Sequence, residues 1–143
     1  MPVADLSSRL RVADVALKRL QDNISALGAV QVRDSRMWAG TTLLNGNSAL
    51  LDEVYAATFF GSTIFLGNVR IATRAIAKGE TEAAIGTCAS DEVSRLVLEE
   101  GGTFRGMTNT LGRSYAIVYV PLLDDDRRRI GMLAAYRELI AAS

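Results

Sequence analysis

The stretch Ser62–Thr73 reads STIFLGNVRIAT, two β-rich runs on either side of Gly67-Asn68, and its reading decides the fold class. Glycine and asparagine both accept left-handed backbone, so the pair predicts a tight hairpin between strands at Thr63–Leu66 and Val69–Arg74. A hairpin requires an antiparallel sheet, and the rest of the chain must supply further strands and a layer to bury one face.

Upstream, Val3, Leu6, Leu10, Ala13, Leu17, Leu20, Ile24 and Leu27 recur at spacings of three and four. That period marks one stripe of a long helix, expected over residues 1–28 and ending near Gly28. The helix is read either as lying on the core alone or as also pairing with its twin in a homodimer, for which Val12 and Val15, off the stripe, could supply a second apolar strip. No period emerges from Ala29 to Asn47; this segment holds Trp38, the only tryptophan, and reads as irregular chain closed by a turn at Asn45–Asn47. Ser48–Ala57 reads as a short helix with Leu50, Leu51, Val54 and Tyr55 on its apolar side.

Downstream, a loop over Ala75–Thr87 carries Gly79 and Gly86 and leads to Ser90, an N-cap followed by Asp91 and Glu92. The helix it opens places Val93, Leu96 and Val97 on one side and stops at Gly101-Gly102. Three more strands are expected at Thr103–Leu111, Arg113–Leu122 and Arg129–Tyr136, joined by Leu111-Gly112 and the run DDDRRR. Short connections make them an antiparallel meander. The expected fold is therefore α+β: a long N-terminal helix on one face of a five-stranded antiparallel sheet, with short helices and loops covering the other. A cover so incomplete is expected to leave a ligand cavity. No repeat or linker divides the 143 residues, so one domain is expected, a helix over 1–28 and a core over 29–143.

Composition narrows the function. Lysine plus arginine (16) balances aspartate plus glutamate (16), so no net field recruits nucleic acid or an acidic membrane. The cations are arginines except Lys18 and Lys78, and arginine offers a planar fork of donors suited to carboxylates. With no histidine and one cysteine, the commonest acid–base group is missing and a multi-cysteine metal site is excluded. No convincing carboxylate pair, nucleophile elbow or phosphate loop replaces them. Catalysis, cofactor and metal are all expected to be absent. Cys88, with nothing to activate it, is expected to pack as a small apolar group. No apolar run is long enough to span a bilayer, and the N-terminus lacks the layout of a signal peptide.

Three segments carry a resemblance: TIFLGNVRIAT at Thr63–Thr73, GTCASDEVSRLVLEEGGTFRGMTNTLGRSYAIVYVPLLD at Gly86–Asp124, and RRIGMLAAY at Arg128–Tyr136. Their ordered series is Arg-x-x-Thr, Gly-Thr, Phe-x-Gly, Leu-Gly-x-x-Tyr-x-x-x-Tyr-x-Pro and Ile-Gly-Met-Leu. It resembles the single Cache sensor domains of bacterial chemoreceptors, histidine kinases and cyclic-nucleotide enzymes, a PAS-like family, over roughly Leu10–Tyr136. The resemblance implies a non-enzymatic, extracytoplasmic (periplasmic) sensor that holds a small ligand, often a carboxylate, with a membrane anchor in the full receptor. A soluble cytoplasmic relative is the alternative. Phe104 stands where the family commonly has tyrosine, and Asn109 and Thr110 occupy a stretch usually more acidic or apolar.

The candidate binding residues follow. On the strand from Val69, simple alternation groups Arg70 with Ala72 and Arg74, and Thr73 with Val69 and Ile71. Arg70 could grip a carboxylate through paired hydrogen bonds or could project to solvent; the resemblance favours Arg70 in the site, with Thr73 as a hydroxyl contact. Tyr115 and Tyr119 share a face with Ile117, either as cavity wall or as core. Phe104 and Gly106 share a face of the preceding strand, with Arg105 pointing the opposite way. Gly86-Thr87 could offer amides and a hydroxyl, with Thr87 equally able to assist the helix cap. Trp38 is read as part of the cover or as a core anchor. The resulting expectation is a carboxylate sensor, and the competing one is a ligand-free structural or dimerisation module.

Overall fold

The computed structural model of the protein describes residues 6–139. Helix α1 spans Leu6–Leu27 and buries Leu10, Ala13, Ala16, Leu17, Leu20 and Ile24, the stripe that the three-and-four spacing predicts. Leu27, at the end of the stripe, is 38 % exposed, and Val3 lies outside the described residues.

The segment after α1 departs from expectation. Instead of irregular chain it forms a small antiparallel sheet of β1 (Val30–Arg33), β2 (Arg36–Ala39) and β3 (Thr42–Leu43). Asp34 and Ser35 both take positive φ, 52° and 64°, the twisted two-residue turn that matches strand twist. These residues sit between strands only four residues long, too short to display an alternation. The Asn45 side chain accepts the Met37 amide at 2.8 Å, which ties the returning chain to β2.

Helix α2 (Ser48–Thr58) starts at Asn47, whose side chain accepts the Leu50 amide, and ends at Phe59 in left-handed conformation. Leu51 and Val54 are buried, whereas Tyr55 is 40 % exposed. The hairpin follows as β4 (Gly61–Leu66) and β5 (Val69–Thr73). Ser90 caps the next helix as expected, its Oγ accepting from the Val93 amide at 3.2 Å. That helix, α3 (Asp91–Ser94), widens into a π-turn over Arg95–Glu99 before Gly101. The meander is β6 (Phe104–Thr110), β7 (Arg113–Leu123) and β8 (Arg129–Glu138). In the DDDRRR turn, Asp124 Oδ1 accepts the amides of Asp126 and Arg128 at 2.9 and 2.8 Å.

The large sheet has the order β5-β4-β8-β7-β6, every pair antiparallel. One face, carrying Ile64, Ala72, Val118, Leu133 and Ala135, packs under α1, α2 and the small sheet. The other face, carrying Phe65, Ile117, Tyr119, Met132 and Ala134, is covered by Ala75, Ala89, Val93 and Val97. This is the PAS-like α+β arrangement, with the long helix on one face and short elements on the other.

The hairpin contains a feature that alternation cannot forecast. Thr63 pairs with Thr73 and Ile64 with Ala72, yet Phe65 pairs with Arg70, so Ile71 is an extra residue forming a β-bulge. Ile71 and Ala72 both join the α1-side core. The expected grouping of Arg70 with Ala72 and Arg74 is therefore corrected: the bulge puts Arg70 and Thr73 on the same face, away from α1.

Candidate functional site

The covered face surrounds a hollow lined by Arg70, Thr63, Thr110, Tyr115, Tyr119 and Tyr136, with Phe65, Ala75, Leu111, Ile117 and Ala134 as its apolar walls. Its volume is about 10 Å³, room for a single water, so the interior is closed around its polar groups rather than open.

Arg70 dominates this space. Its side chain is carried inward by the bulge, and the residue is only 3 % exposed. Nη1 donates to Thr87 Oγ1 and to the Cys88 carbonyl, both at 2.9 Å, and Nη2 donates to Thr110 Oγ1 at 3.4 Å. The guanidinium carbon stands 5.4 Å from the centre of the Phe65 ring, a cation–π contact. Every one of these partners is neutral, and Arg70 joins no ion pair among the described residues. Taking a cation out of water without a counter-charge is costly.

The loop that covers the hollow is fastened through the same residue. The Arg70 amide donates to the Thr87 carbonyl and the Gly86 amide to the Arg70 carbonyl, both at 2.8 Å. Residues 86–88 thereby extend the sheet beyond β5, while the Lys78 amide donates to the Leu111 carbonyl at 2.8 Å and holds the loop to the β6–β7 turn. Thr87 Oγ1 in turn donates to the Ala84 carbonyl at 2.6 Å. Cys88 corrects its expectation: it is exposed, because the strand-like pairing turns its carbonyl towards Arg70 and leaves the thiol outside.

Thr73 bonds Thr63 through their hydroxyls at 2.7 Å and accepts the Ala75 amide at 3.1 Å, so it anchors the start of the covering loop. Tyr115 and Tyr119 are both buried. Burial raises the pKa of each, and the Arg70 guanidinium opposes that rise. Phe104 lies opposite Tyr119 in the register and meets its ring edge-on at 5.9 Å. Gly106 pairs with Ile117, and a side chain built there would meet open space; it is absent from the lining of the hollow. Arg105 does point away, pairing with Asp14 of α1 at 2.9 Å.

Trp38 is corrected. It lies in β2 of the small sheet, on the α1 side, with Arg33 over its ring at 5.1 Å, and does not line the hollow. Placement in the covering segment rested on an irregular reading of residues 29–47, whereas strand formation sends that segment to the opposite face.

Among the polar lining residues, Thr63 and Tyr136 escaped the sequence reading and Thr110 was marked only as a departure from the family pattern; the apolar walls Phe65, Ala75, Leu111 and Ala134 were not foreseen either. Tyr136 is the most informative. Its hydroxyl is buried without a hydrogen-bond partner, and burial raises its pKa to about 12. Thr73 and Thr63 lie close enough to favour its ionised form slightly but not in hydrogen-bonding geometry. Its ring stacks edge-on to Tyr115 at 5.2 Å, and the two rings separate the hollow from an outer cleft of about 700 Å³ flanked by Tyr55, Arg74 and Arg113. Arg74 itself is spent on an ion pair with Asp52 and a contact with Tyr55.

The family model of single Cache domain 3 matches residues 42–137. The chain belongs to the single Cache domain 3 family. Among solved structures, this Cache domain is similar to the sensor domain of DcuS from E. coli, with a TM-score of 0.52 and 16 % identity over 96 % of this chain and 91 % of that one. The cofactor-binding GAF domain of the nutrient sensor CodY from Clostridium difficile is a weaker likeness, at a TM-score of 0.45 and 14 % identity over 88 % and 83 % of the two chains. No curated protein matches this sequence. At these identities the DcuS likeness concerns the fold, and it agrees with the Cache assignment. No helix among the described residues is long and apolar enough to cross a membrane.

Proposed function

We propose that this Cache domain is the ligand-binding module of a signal-transduction receptor and that it recognises a small organic anion, a carboxylate, through Arg70. One observation carries the reading: a guanidinium 3 % exposed whose side-chain partners are all neutral. An entering carboxylate supplies the missing counter-charge by paired, charge-assisted hydrogen bonds. Thr110 and Tyr119 beside it serve as polar contacts, and Thr73 and Thr87 hold the cover in place. Phe104 backs the Tyr119 ring edge-on and so shapes that side of the site, while Gly106 stays outside the lining. Tyr115 stands between hollow and outer cleft. In this reading the domain acts by binding rather than by catalysis, outside the cytoplasmic membrane, with signalling output supplied by other segments; membership of the single Cache domain 3 family supports it.

Thermal unfolding in a panel of small organic acids tests this reading. Binding only the folded state raises the melting temperature with ligand concentration. At least one carboxylate should do so for the native chain and not for Arg70→Met. Equal behaviour of the two proteins across the panel would assign the domain to the competing role, a structural module without a ligand.

Pairing of two copies along α1 is part of the same proposal. Val12 and Val15, three residues apart on one side of the helix, are 38 % and 62 % exposed. Sedimentation of the native chain against Val15→Glu measures it, with a shift from dimer to monomer expected.

A further inference from the structure

Resting on the reading of Arg70 as the anchor for a carboxylate, we infer that the ligand is a short monocarboxylate bearing a neutral hydroxyl or keto oxygen, and that this second oxygen is held by the Tyr136 hydroxyl.

Four observations lead there. First, Tyr136 lines the same hollow as Arg70 and its hydroxyl is buried with no hydrogen-bond partner. Buried polar groups are almost always satisfied, so this one awaits a partner that enters with the ligand. Second, the hydroxyl has a fixed address. A side chain at Gly61 would come within 2.5 Å of Tyr136 Cζ and 2.6 Å of its hydroxyl, so the ring occupies the space that only glycine leaves. Third, Arg70 is the sole charged residue in the lining. An ammonium group would be buried without a carboxylate, and a second carboxylate would be buried without a second cation, each at a high desolvation cost. α-Amino acids and dicarboxylates are thereby disfavoured, while a hydroxyl or keto oxygen asks only for a neutral phenol, which can donate or accept. Fourth, the hollow is small and walled by Phe65, Ile117 and Tyr119, which leaves no channel for a long acyl chain.

The register sets the two poles apart. Arg70 pairs with Phe65 and Tyr136 with Gly61 on β4, four residues or about 13 Å of strand. Two side chains reaching in from those positions nearly fill the interval, so a ligand of only a few heavy atoms enters between guanidinium and phenol when Arg70 releases Thr87 and Cys88 of the covering loop.

Calorimetric titration of the full chain with glycolate, L-lactate, pyruvate, propionate, succinate and L-alanine tests the inference, using native protein, Tyr136→Phe and Arg70→Met. The phenylalanine variant keeps the ring against Gly61, and its fold is checked by circular dichroism. At least one of glycolate, lactate and pyruvate should bind ten-fold or more tightly than propionate. Tyr136→Phe should reduce that preference to within about two-fold while leaving propionate affinity unchanged. Succinate or alanine binding as tightly as the best oxy-acid, or a preference that survives in Tyr136→Phe, overturns the inference; if Arg70→Met abolishes that binding, the carboxylate reading still stands. Absence of binding by every acid, or binding indifferent to Arg70→Met, removes that reading and this inference together.

Discussion

Arg70 on β5 and Thr110 on β6 belong to the two outermost strands of the five-stranded sheet, yet their side chains meet, Nη2 to Oγ1, at 3.4 Å. The sheet is coiled far enough for one long side chain to bridge its margins. The same guanidinium holds Thr87 and Cys88 of the covering loop, so a ligand that draws on Arg70 competes with the contacts that close the site. Binding and closure are coupled at one residue.

An uncompensated buried cation should be dispensable for folding. Arg70→Met removes the desolvation cost and loses three hydrogen bonds to neutral groups, two opposing effects of similar size. Chemical denaturation should place the variant within about 2 kcal/mol of the native chain. A loss well beyond that would mean that Arg70 is primarily a structural clasp.

Two glycines should differ in tolerance for reasons visible in their neighbours. At Gly131 an added side chain would stand 2.0 Å from the Phe65 carbonyl oxygen, a backbone atom in a paired strand. At Gly61 the obstacle is the Tyr136 ring. Gly131→Ala should cost roughly 3 kcal/mol or more and Gly61→Ala roughly 1–3 kcal/mol. Only the Gly61 penalty should shrink in a Tyr136→Leu background, as read by a double-mutant cycle.

Alkaline pH should weaken the fold through Tyr136. Its pKa rises from 10.0 to about 12 on folding because burial disfavours the phenolate. A phenol raised in this way stabilises the fold fully below pH 10 and loses that contribution as the pH climbs towards 12. A two-unit shift corresponds to about 2–3 kcal/mol. Denaturation at pH 9 and pH 11 should show a smaller loss for Tyr136→Phe than for the native chain. A residual loss should remain, since Tyr115 and Tyr119 are shifted in the same direction.

Arg105 serves as the counter-example to Arg70. It joins Asp14 across the α1 side of the sheet, with both side chains more than two-fifths exposed, and such pairs contribute little. Arg105→Ala should leave the carboxylate-dependent rise in melting temperature unchanged. A variant that lost it would place the ligand on the wrong face of the sheet.

Much of this architecture was legible in local patterns. The spacing from Leu6 to Ile24 specified α1 because a helix repeats every 3.6 residues. Gly67-Asn68 specified the hairpin through backbone freedom, and Ser90 specified a helix start through its hydroxyl. Tyr115, Ile117 and Tyr119 were readable as one face of a strand, as were Phe104 and Gly106. The small sheet after α1 was not readable, because strands of two to four residues are too short to show a period, and Trp38 was misplaced with it.

The amino-acid order by itself determined the long helix, the hairpin, the capped helix and the meander, their sequence along the chain and the family to which the domain belongs, since each depends on near neighbours. Tertiary structure alone decided the polar geometry of the hollow. Arg70 and Thr73 are three residues apart and should oppose one another on a regular strand; they share a face because β4 pairs with β5 around an extra Ile71. Tyr136 and Thr110 enter the site from strands on either side of β7. Which side chains meet across a sheet depends on register and coiling, and these are settled by packing against the whole core rather than by any one segment.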